Sequence, residues 1–578
     1  MAKQTPMMEQ YLKVKESYQD AFLFFRLGDF YEMFFDDAII AARELEITLT
    51  QRDSSKENPV PMCGVPYHSA SRYIKNLIDK GYKVAICEQM EDPSTAKGVV
   101  KREVVQLITP GTIMESSMLK ESNNNYIASI SHFNDGSYTI VYNDLSTGEN
   151  RLMLINDNWD AVIHELYNQP VREVVISSNL DESLQQQLRN KLHVVLSFQD
   201  EVKFNAEYRS LCNNINDERL MKGFSRLLNY IQETQKRSLD HLQPAEVIEL
   251  TDYLSLDMYS KRNLELTETI MKKGKHGSLL WVLDKTVTAM GSRTLKKWME
   301  RPLLWKKQIE ERLDIVEGMY NGFMERDTLR ETLKSVYDLE RLAGRIAFGN
   351  VNARDLVQLR DSLKQIPVLK DVLKQFNQRS IQKLADDLMY PSALVQLLDD
   401  SIVDDPPISI KEGSIIKSGY HEQLDTYRDA SKNGKEWIAE LEQKERKATN
   451  IKSLKIGFNR VFGYYIEVTK ANLHLLPEGR YERKQTLTNA ERYVTPELKE
   501  KEQLIMDAED KSIDLEYQLF IDIREKIKSH ISSIQHLAFV VGKIDVLQTF
   551  ATVSEANNYT RPSFGKTTLE ITNGRHPV

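Results

Sequence analysis

The spacing of apolar residues changes along the chain. Up to about residue 243, short apolar runs such as AFLFFRL and SYTIVYNDL alternate with turn residues, which is typical of mixed α/β domains. From Pro244 to about residue 450, charged stretches with few glycines carry apolar residues every three or four positions, and this spacing predicts α-helices. The pattern therefore predicts a multi-domain protein of α/β plus α class.

The α/β part divides at a polar stretch. Residues 22–112 form a first mixed unit, and the stretch from Glu115 to Asn125 is predicted to be its exit linker. After it, NYIASI, SYTIVYNDL and REVVIS have the composition of strands, and WDAVIHELYNQ between the last two has the spacing of a helix. These segments predict a second α/β domain with βαβ character.

A β-rich segment interrupts the helical part. LKIGFNRVFGYYIEV, residues 454–468, places β-branched and aromatic residues around a glycine-containing turn, and KQTLTN at 484–489 is a further candidate strand. The helical pattern covers Leu424 to Asn450 before this segment. It resumes at Pro496 without a glycine until Gly542, which is about 70 Å of helix if continuous. We expect a small β module carried by two long helices.

Composition narrows the class of protein. With 578 residues, 41% hydrophobic and 28% charged, the chain is expected to fold into several compact domains. It has no apolar run of about 18 residues and no apolar N-terminal segment, so we expect no membrane span, no secretory signal and a cytoplasmic location. Three cysteines without CxxC spacing argue against a disulfide framework or a zinc site.

Charge is informative only locally. The whole chain carries −8, yet residues 443–492 hold eleven basic residues against five glutamates, a net charge of +6. Such a basic module suits contact with nucleic-acid phosphates, which gives salt-sensitive and sequence-independent affinity. A solvated Lys/Arg surface on a protein that never meets DNA would have the same charge. Charge alone leaves both interpretations open.

Several longer strings are similar to the MutS family, and they occur in the family's order. They are GDFYEMFFDDA at 28–38, PMCGVPYH at 61–68, AICEQMEDP at 85–93, LITPGT at 107–112, NDLSTGE at 143–149, LDKTVTAMGSRTLKKWMERPL at 283–303, SGYHEQLD at 418–425, FNRVFGYYIEV at 458–468, NAERYVTPELKE at 489–500 and NGRHPV at 573–578. The resemblance therefore spans the chain.

This resemblance implies an architecture and a ligand. The implied parts are a mixed α/β mismatch-recognition domain at 1–113, an RNase H-like connector at 125–243, a long-helix core and lever at 244–440 and 500–563, an inserted β clamp for DNA at 441–499, and the start of an ATPase domain at 564–578. The implied ligand is double-stranded DNA with mispairs or small loops. The implied location is the bacterial cytoplasm, with nucleoid association when DNA is bound.

The family's Phe-x-Glu reader motif falls on Phe30 and Glu32, which we expect at a strand-to-helix corner after AFLFFRL. The resemblance implies that Phe30 enters the minor groove as a wedge, and that Glu32 discriminates by sharing a proton with an exposed acceptor of the mispaired base. Pattern alone leaves structural roles open. Asp29 and Glu32 have capping-box spacing, and a phenylalanine in FYEMFF is usually a core residue.

The resemblance also implies contacts to the DNA backbone, made by polar and cationic side chains. The candidates are His68, Arg72 and Lys97 in the reader and, in the clamp, Asn459 and Arg460 at a hairpin turn with Lys484, Gln485, Thr486 and Asn489 before the return helix. The alternatives are turn formation for Asn459 and helix capping for Asn489.

No catalytic or metal-binding set stands out in the sequence. Gly565-Lys566-Thr567 is similar to the end of a phosphate-binding loop, but Thr560 stands where the first glycine is required. Because Walker A and Walker B motifs are absent, we expect no enzyme activity, no cofactor and no metal in this chain. For the intact protein, the resemblance implies ATP and Mg²⁺, a homodimer and a MutL-type partner.

Two other functions are considered. One is a general structure-selective DNA-binding protein related to MutS, without mispair preference, although the GDFYE string counts against it. The other is a nuclease built on the connector. Asp144 is a candidate carboxylate there, but the cluster of acids that two-metal chemistry needs cannot be assembled from the sequence.

Overall fold

The computed structural model describes residues 5–52, 59–91, 98–169, 171–254, 256–459, 463–477, 479–565 and 567–578. The chain divides into two compact units, the first made of Met1–Asn350, Asp361–Tyr390 and His530–Val578, and the second of Val351–Arg360 and Pro391–Ser529. Two α/β domains and a group of helices make up the first unit, and two long helices with a β-sheet dominate the second. The predicted class, multi-domain α/β plus α, is confirmed.

The first domain is a six-stranded mixed sheet with helices on both faces. Its elements are α1 (Pro6–Glu16), β1 (Ala21–Leu27), β2 (Phe30–Phe34), α2 (Phe35–Leu45), β3 (Thr50–Arg52), β4 (Val60–Pro66), α3 (Ala70–Asp79), β5 (Lys83–Gln89) and β6 (Arg102–Ile108). The strand order is β3-β4-β2-β1-β5-β6. One apolar cluster includes α2 and α3 and another includes α1, so alternate residues of the central strands are buried on opposite faces.

The second domain is also a six-stranded sheet covered on both faces. Its elements are β7 (Tyr126–His132), β8 (Tyr138–Asp144), β9 (Glu149–Ile155), α4 (Trp159–Asn168), β10 (Val171–Ile176), α5 (Glu182–Leu192), β11 (Val195–Phe198), α6 (Glu218–Gln235) and β12 (Glu246–Val247). The order is β11-β10-β7-β8-β9-β12, with α4 and α5 in one core and α6 in the other. The three predicted strands and the predicted helix are confirmed as β7, β8, β10 and α4.

A buried glutamate joins the two α/β domains. Glu173, on β10, accepts hydrogen bonds from Gly111 N at 2.9 Å, and from Ser197 Oγ and Tyr230 Oη at 2.6 Å each. Thr109 Oγ1 also donates to it. Gly111 has no room for a side chain, since a Cβ there would lie 2.9 Å from Glu173 Oε2. The LITPGT segment is therefore fastened to the second domain at one carboxylate.

The stretch predicted to be an exit linker is held by the helical core. Arg293 is buried between Asp338 and Glu340 and donates to the carbonyl oxygen of Glu121 at 2.8 Å. Arg341 donates to the carbonyl oxygens of Lys120 at 3.1 Å and Asn123 at 2.6 Å. Because two arginines satisfy its backbone, this segment is a fixed connection rather than a free tether.

Most helices of the core pack around one long apolar helix. They are α7 (Met258–Asn263), α8 (Leu279–Leu283), α9 (Ala289–Glu300), α10 (Lys306–Asn321), α11 (Phe323–Lys334), α12 (Leu339–Phe348), α13 (Ala353–Gln375), α14 (Arg379–Asp387) and, later in the chain, α18 (Ile531–Asn557). By length and composition α18 could cross a membrane. However, 72% of its most apolar stretch is buried inside the protein, and it packs against α8 to α12 and α14, as a core helix does.

The second unit carries the inserted β module. Its elements are α15 (Ser392–Ser401), α16 (Glu422–Thr449), β13 (Lys455–Asn459), β14 (Gly463–Thr469), β15 (Glu482–Thr486), β16 (Ala490–Val494) and α17 (Pro496–Lys528). The β module between two long helices is confirmed. The helical run after Pro496 is not continuous, because α17 ends after 33 residues, about 50 Å, before α18 begins.

Candidate nucleic-acid interface

The reader motif lies on a tight hairpin. Gly28 and Asp29 alone connect β1 to β2, since Leu27 pairs directly with Phe30. Gly28 has φ +57°, a backbone conformation that glycine adopts at little cost. The expected strand-to-helix corner is therefore wrong: Phe30 and Glu32 are on β2, and α2 begins only at Phe35. Asp29 does not cap that helix, so the capping-box interpretation is wrong as well.

Strand pairing decides which aromatic residue of the motif faces solvent. Tyr31 and Met33 point into the cluster under α2 and α3, and Phe34 points into the cluster around α1. Phe30, on the same strand face as Phe34, is 46% exposed. A phenylalanine left this exposed at a turn contributes little to the core, so the core interpretation of Phe30 is wrong. Its position suits a contact with a ligand.

Glu32 lies two residues from Phe30 on the same face and is paired with a cation. Its Oε2 accepts a hydrogen bond from a terminal nitrogen of Arg52, on β3, at 3.1 Å. Burial raises the pKa of the Glu32 carboxyl, and the Arg52 charge offsets part of that shift. The side chain is therefore easier to protonate than an exposed glutamate.

A second aromatic residue beside Phe30 was missed from the sequence. Tyr67, in PMCGVPYH, is 45% exposed, and its ring packs 3.7 Å from the guanidinium of Arg26. Its backbone N donates to Asp29 O at 2.9 Å, while Arg26 Nε donates to Gly28 O at 2.5 Å. These contacts fix Tyr67 against the reader turn. The only signal for Tyr67 in the sequence was its place in the PMCGVPYH string.

The other reader candidates are placed as surface residues. His68 is exposed, and its ring lies edge-on to Tyr67 with centroids 5.8 Å apart. Arg72, on α3, is exposed and makes no ion pair within the part of the chain that the structure describes. Lys97 lies outside the described residues. His68 is thus brought close to the reader turn through Tyr67.

The clamp is a four-stranded antiparallel sheet with the order β13-β14-β16-β15. Its inner face shares one apolar cluster with α16 and α17, built from Ile438, Leu441, Ile451, Leu454, Ile466, Val468, Leu498 and Ile505. Because the sheet is anchored on both long helices, its loops are held on a packed base.

The clamp candidates lie on the turns and outer strand of this sheet. Asn459 ends β13, opposite Gly463, and Arg460 lies outside the described residues. Lys484, Gln485 and Thr486 are on β15, and Asn489 is in the turn before β16. The strand β16 therefore separates these residues from the return helix, which was not predicted. Thr495, which accepts from Leu498 N at 3.2 Å, caps that helix, so helix capping by Asn489 is wrong.

Much of the positive charge of the clamp is paired internally. Lys484 lies 2.8 Å from Glu482, which also holds Lys499 at 3.2 Å. Arg492 donates to Glu467 at 3.1 Å and to Gln485 at 2.9 Å. Among the described residues of the clamp, the exposed cations without a carboxylate partner are Lys447, Lys452 and Lys470. The sequence count included these three but did not single them out.

A buried acid holds the loop that leads into β15. Glu445, on α16, is fully buried and pairs with Arg480, while Tyr481 Oη donates to its other oxygen. Burial raises the pKa of the Tyr481 hydroxyl, and Glu445 adds to the shift. This contact fixes the loop before β15 rather than contributing to a surface charge.

The nuclease interpretation gains no site in the connector. Asp144 is buried, and it accepts from Asn125 N at 3.1 Å and from Ser146 N at 3.0 Å, as a turn-forming aspartate does. Among the described residues, no group of three or more His, Cys, Asp or Glu side chains is placed to hold a metal ion.

Three family profiles match the chain. They are MutS domain I over residues 5–117, MutS domain II over 125–243 and MutS domain III over 260–551. Curated relatives named DNA mismatch repair protein MutS match over all of the chain. The proteins from Oceanobacillus iheyensis, Geobacillus sp. (strain WCH70) and Bacillus subtilis (strain 168) are 72%, 60% and 57% identical, and the chain covers 67% of each of them.

Proposed function

Because the chain belongs to the MutS family of DNA mismatch-repair proteins, we propose that it detects mispairs in duplex DNA through Phe30 and Glu32 and holds the duplex through its clamp. The observation that carries this proposal is the pairing of an exposed aromatic ring with a half-buried carboxylate on one face of β2. The rest of that strand is buried, so these two side chains are the part of it available to a ligand.

Phe30 is proposed to act as a wedge. Inserting a ring between base pairs from the minor groove unstacks one step at a cost of a few kcal/mol and bends the duplex. A mispair is cheaper to unstack and bend than a matched pair, so the wedge selects by deformability rather than by reading base edges. The tight turn and the Arg26–Tyr67 contact support this role, because they hold the base of the wedge rigid.

Glu32 is proposed to add discrimination through its protonation. Near phosphates an ionised carboxylate is repelled, and its burial already favours the neutral form. On a mispair, the proton can be shared with an exposed base acceptor. On matched DNA no such acceptor is free, so the repulsion remains. Arg52 limits this effect by stabilising the carboxylate before DNA binds.

The clamp is proposed to supply affinity without sequence preference. Asn459, Arg460, Lys484, Gln485, Thr486 and Asn489 are the proposed contacts, with His68, Arg72 and Lys97 in the reader. Hydrogen bonds from such side chains to phosphate oxygens position DNA but carry no base information. Lys447, Lys452 and Lys470, which are exposed and have no carboxylate partner among the described residues, add positive charge to the clamp.

MutS proteins are ATPases, and the chain spans about two thirds of its curated relatives. The residues present do not fit ATP and Mg²⁺, since the sequence lacks a GxxxxGK[ST] loop. No step of the proposal therefore passes through ATP. We propose that ATP, Mg²⁺, the homodimer and a MutL-type partner act in the intact protein.

A binding titration tests the proposal. Fluorescence anisotropy with one labelled duplex, matched or carrying a single G·T mispair, measures both affinities under identical salt. Tighter binding to the mispaired duplex is expected. Equal affinity would instead support the general structure-selective alternative, and metal-dependent cleavage of the label above a mock preparation would support the nuclease.

A further inference from the structure

A cavity of about 490 Å³ lies where the end of α4 meets α7, α9 and the loop between α7 and α8. This volume is within the range of pockets that hold small organic ligands. None of its lining residues belongs to the proposed reader or clamp contacts. Any ligand of this cavity is therefore separate from the DNA-reading proposal.

The charged side chains of the cavity are mostly cationic. They are Lys261, Arg262, Lys273 and Lys296, with the carboxylates of Glu268 and Glu300. Glu300 is already engaged, because Lys261 Nζ lies 3.4 Å from its Oε1. Lys261 also donates to the carbonyl oxygen of Asn168 at 2.7 Å. The lining as a whole therefore carries an excess of two positive charges.

Lys296 is the cation of this set that most needs an anion. It lies on α9, one turn before Glu300, and makes no hydrogen bond or ion pair within the described part of the chain. Burial lowers the pKa of its ammonium and outweighs the nearby Glu300 carboxylate. A desolvated ammonium without a partner destabilises the fold, and a bound anion would offset that cost.

Asn168 adds a second, uncharged recognition element. Its side-chain nitrogen donates to Leu256 O at 2.8 Å, but its Oδ1 is buried and has no hydrogen-bond partner among the described residues. A buried acceptor in this state favours a ligand that brings a donor. A hydroxyl group on the same molecule as the anion would meet this requirement.

We propose that this cavity binds a small phosphorylated sugar or a similar phosphate monoester, with its phosphate on Lys296, Lys261 and Lys273 and a hydroxyl on Asn168. A phosphate monoester carries close to two negative charges at neutral pH, which matches the excess charge of the lining. A DNA phosphodiester carries only one charge and has no free hydroxyl to donate. The charge balance therefore favours a free ligand over the DNA backbone.

Calorimetric titration of the full chain with ribose 5-phosphate tests this, with inorganic phosphate and ribose as the two halves of the probe. We expect one site per chain, weaker binding of phosphate and no binding of ribose. Lys296→Met should weaken the binding of ribose 5-phosphate about tenfold or more, since a charge-assisted hydrogen bond is lost. The matched control, Lys272→Met, removes an exposed lysine that does not line the cavity. It should change the affinity for ribose 5-phosphate less than about twofold.

Folding and DNA are controlled separately. Lys296→Met removes a half-buried charge that has no partner among the described residues, so its urea midpoint should equal or exceed that of the parent. The exposed Lys273→Met gives a second variant that leaves the core unchanged. Addition of matched duplex to saturation should not displace bound ribose 5-phosphate. The proposal is wrong if no saturable site exists or if both cavity variants bind like the parent. One-for-one displacement by duplex would overturn the assignment to a free ligand.

Discussion

Arg52 and Glu32 form an ion pair with a separation of 3.1 Å on the strand face that exposes Phe30. The carboxylate proposed to face DNA is therefore neutralised in the free protein by a side chain from another strand. When DNA approaches, the phosphates compete for Arg52 and repel Glu32 at the same time. Both effects favour a proton on Glu32, so pH should report on mispair recognition.

Replacing Phe30 by alanine should remove the preference for mispaired DNA. The substitution deletes the wedge but leaves every clamp charge in place, so affinity for matched duplex and its salt dependence should be nearly unchanged. Anisotropy titrations with matched and mispaired duplex measure the ratio. Phe198→Ala, at an equally exposed phenylalanine of β11, is the control and should keep the ratio of the parent. Equal losses on both duplexes from Phe30→Ala would show that Phe30 is not a reader.

Mispair preference should increase as the pH falls, up to about tenfold per pH unit while one proton is taken up on binding. The sign follows from the proposed sharing of the Glu32 proton with the mispair, because the complex then holds this proton more tightly than the free protein, in which burial already raises the pKa of Glu32. The ratio of the two affinities should become constant at pH values above the pKa of Glu32 in the complex, and again at pH values below its pKa in the free protein. Titrations from pH 8 to pH 6 with a G·T duplex measure the profile. The mispair preference of Glu32→Gln should not change with pH. A slope like that of the parent in this variant would exclude Glu32 as the titrating group.

Arg52→Gln should move this pH profile toward higher pH. The Arg52 charge is what lowers the pKa of Glu32 against burial, so its loss leaves the carboxyl easier to protonate. A merely structural role for Arg52 would weaken binding without displacing the profile. Arg43→Gln, at an exposed arginine of α2, is the matched control and should leave the profile in place.

Replacing Arg460 and Lys484 by alanine should weaken the binding of matched and mispaired duplex alike. The log–log slope of affinity against salt should flatten by up to about two phosphate equivalents, while the mispair ratio stays constant. Glu482→Gln should have the opposite effect, because Glu482 now holds both Lys484 and Lys499. A change of ratio in the double variant would show that these residues read more than phosphates.

Glu173→Ala should destabilise the first unit by about 3 kcal/mol or more, because four donors lose a buried acceptor. Gly111→Ala should be comparably harmful, since its Cβ would meet Ile127 and Glu173 within 3 Å. Urea unfolding followed by circular dichroism measures both. Glu201→Ala, on an exposed loop, should differ little from the parent, and a parental midpoint for Glu173→Ala would contradict the proposed joint.

The spacing of apolar residues predicted those strands and helices whose burial can be recognised within a single segment of the sequence. The strands β7, β8 and β10 and the amphipathic helix α4 were all predicted, because the strands are short apolar runs buried on both faces of the sheet and α4 buries one face of a helical repeat. The strand β16 was missed. Its AERYV sequence is only five residues long and places two charged residues side by side, so it shows no alternation, and the strand is stabilised by β14 and β15 on either side.

The site was predicted by resemblance, but its geometry was not. The strand assignment of Phe30 depends on pairing with β1 and with Pro66 of β4, and no local window contains both partners. The Glu32–Arg52 and Arg26–Tyr67 contacts likewise join side chains that are far apart in the sequence. Charge counting found a basic clamp, yet it could not show that Lys484 is already paired with Glu482.

The two-residue turn at Gly28 and Asp29 constrains how this protein can diverge. Successive side chains of a strand point to opposite faces, so a slip of one residue would send Phe30 inward and bring Tyr31 out. Substitution of Asp29 preserves the alternation, whereas insertion or deletion of one residue reverses it. Among descendants of this gene, the turn should therefore drift in composition while its length stays fixed, and a length change should mark a lineage that has given up reading mispairs.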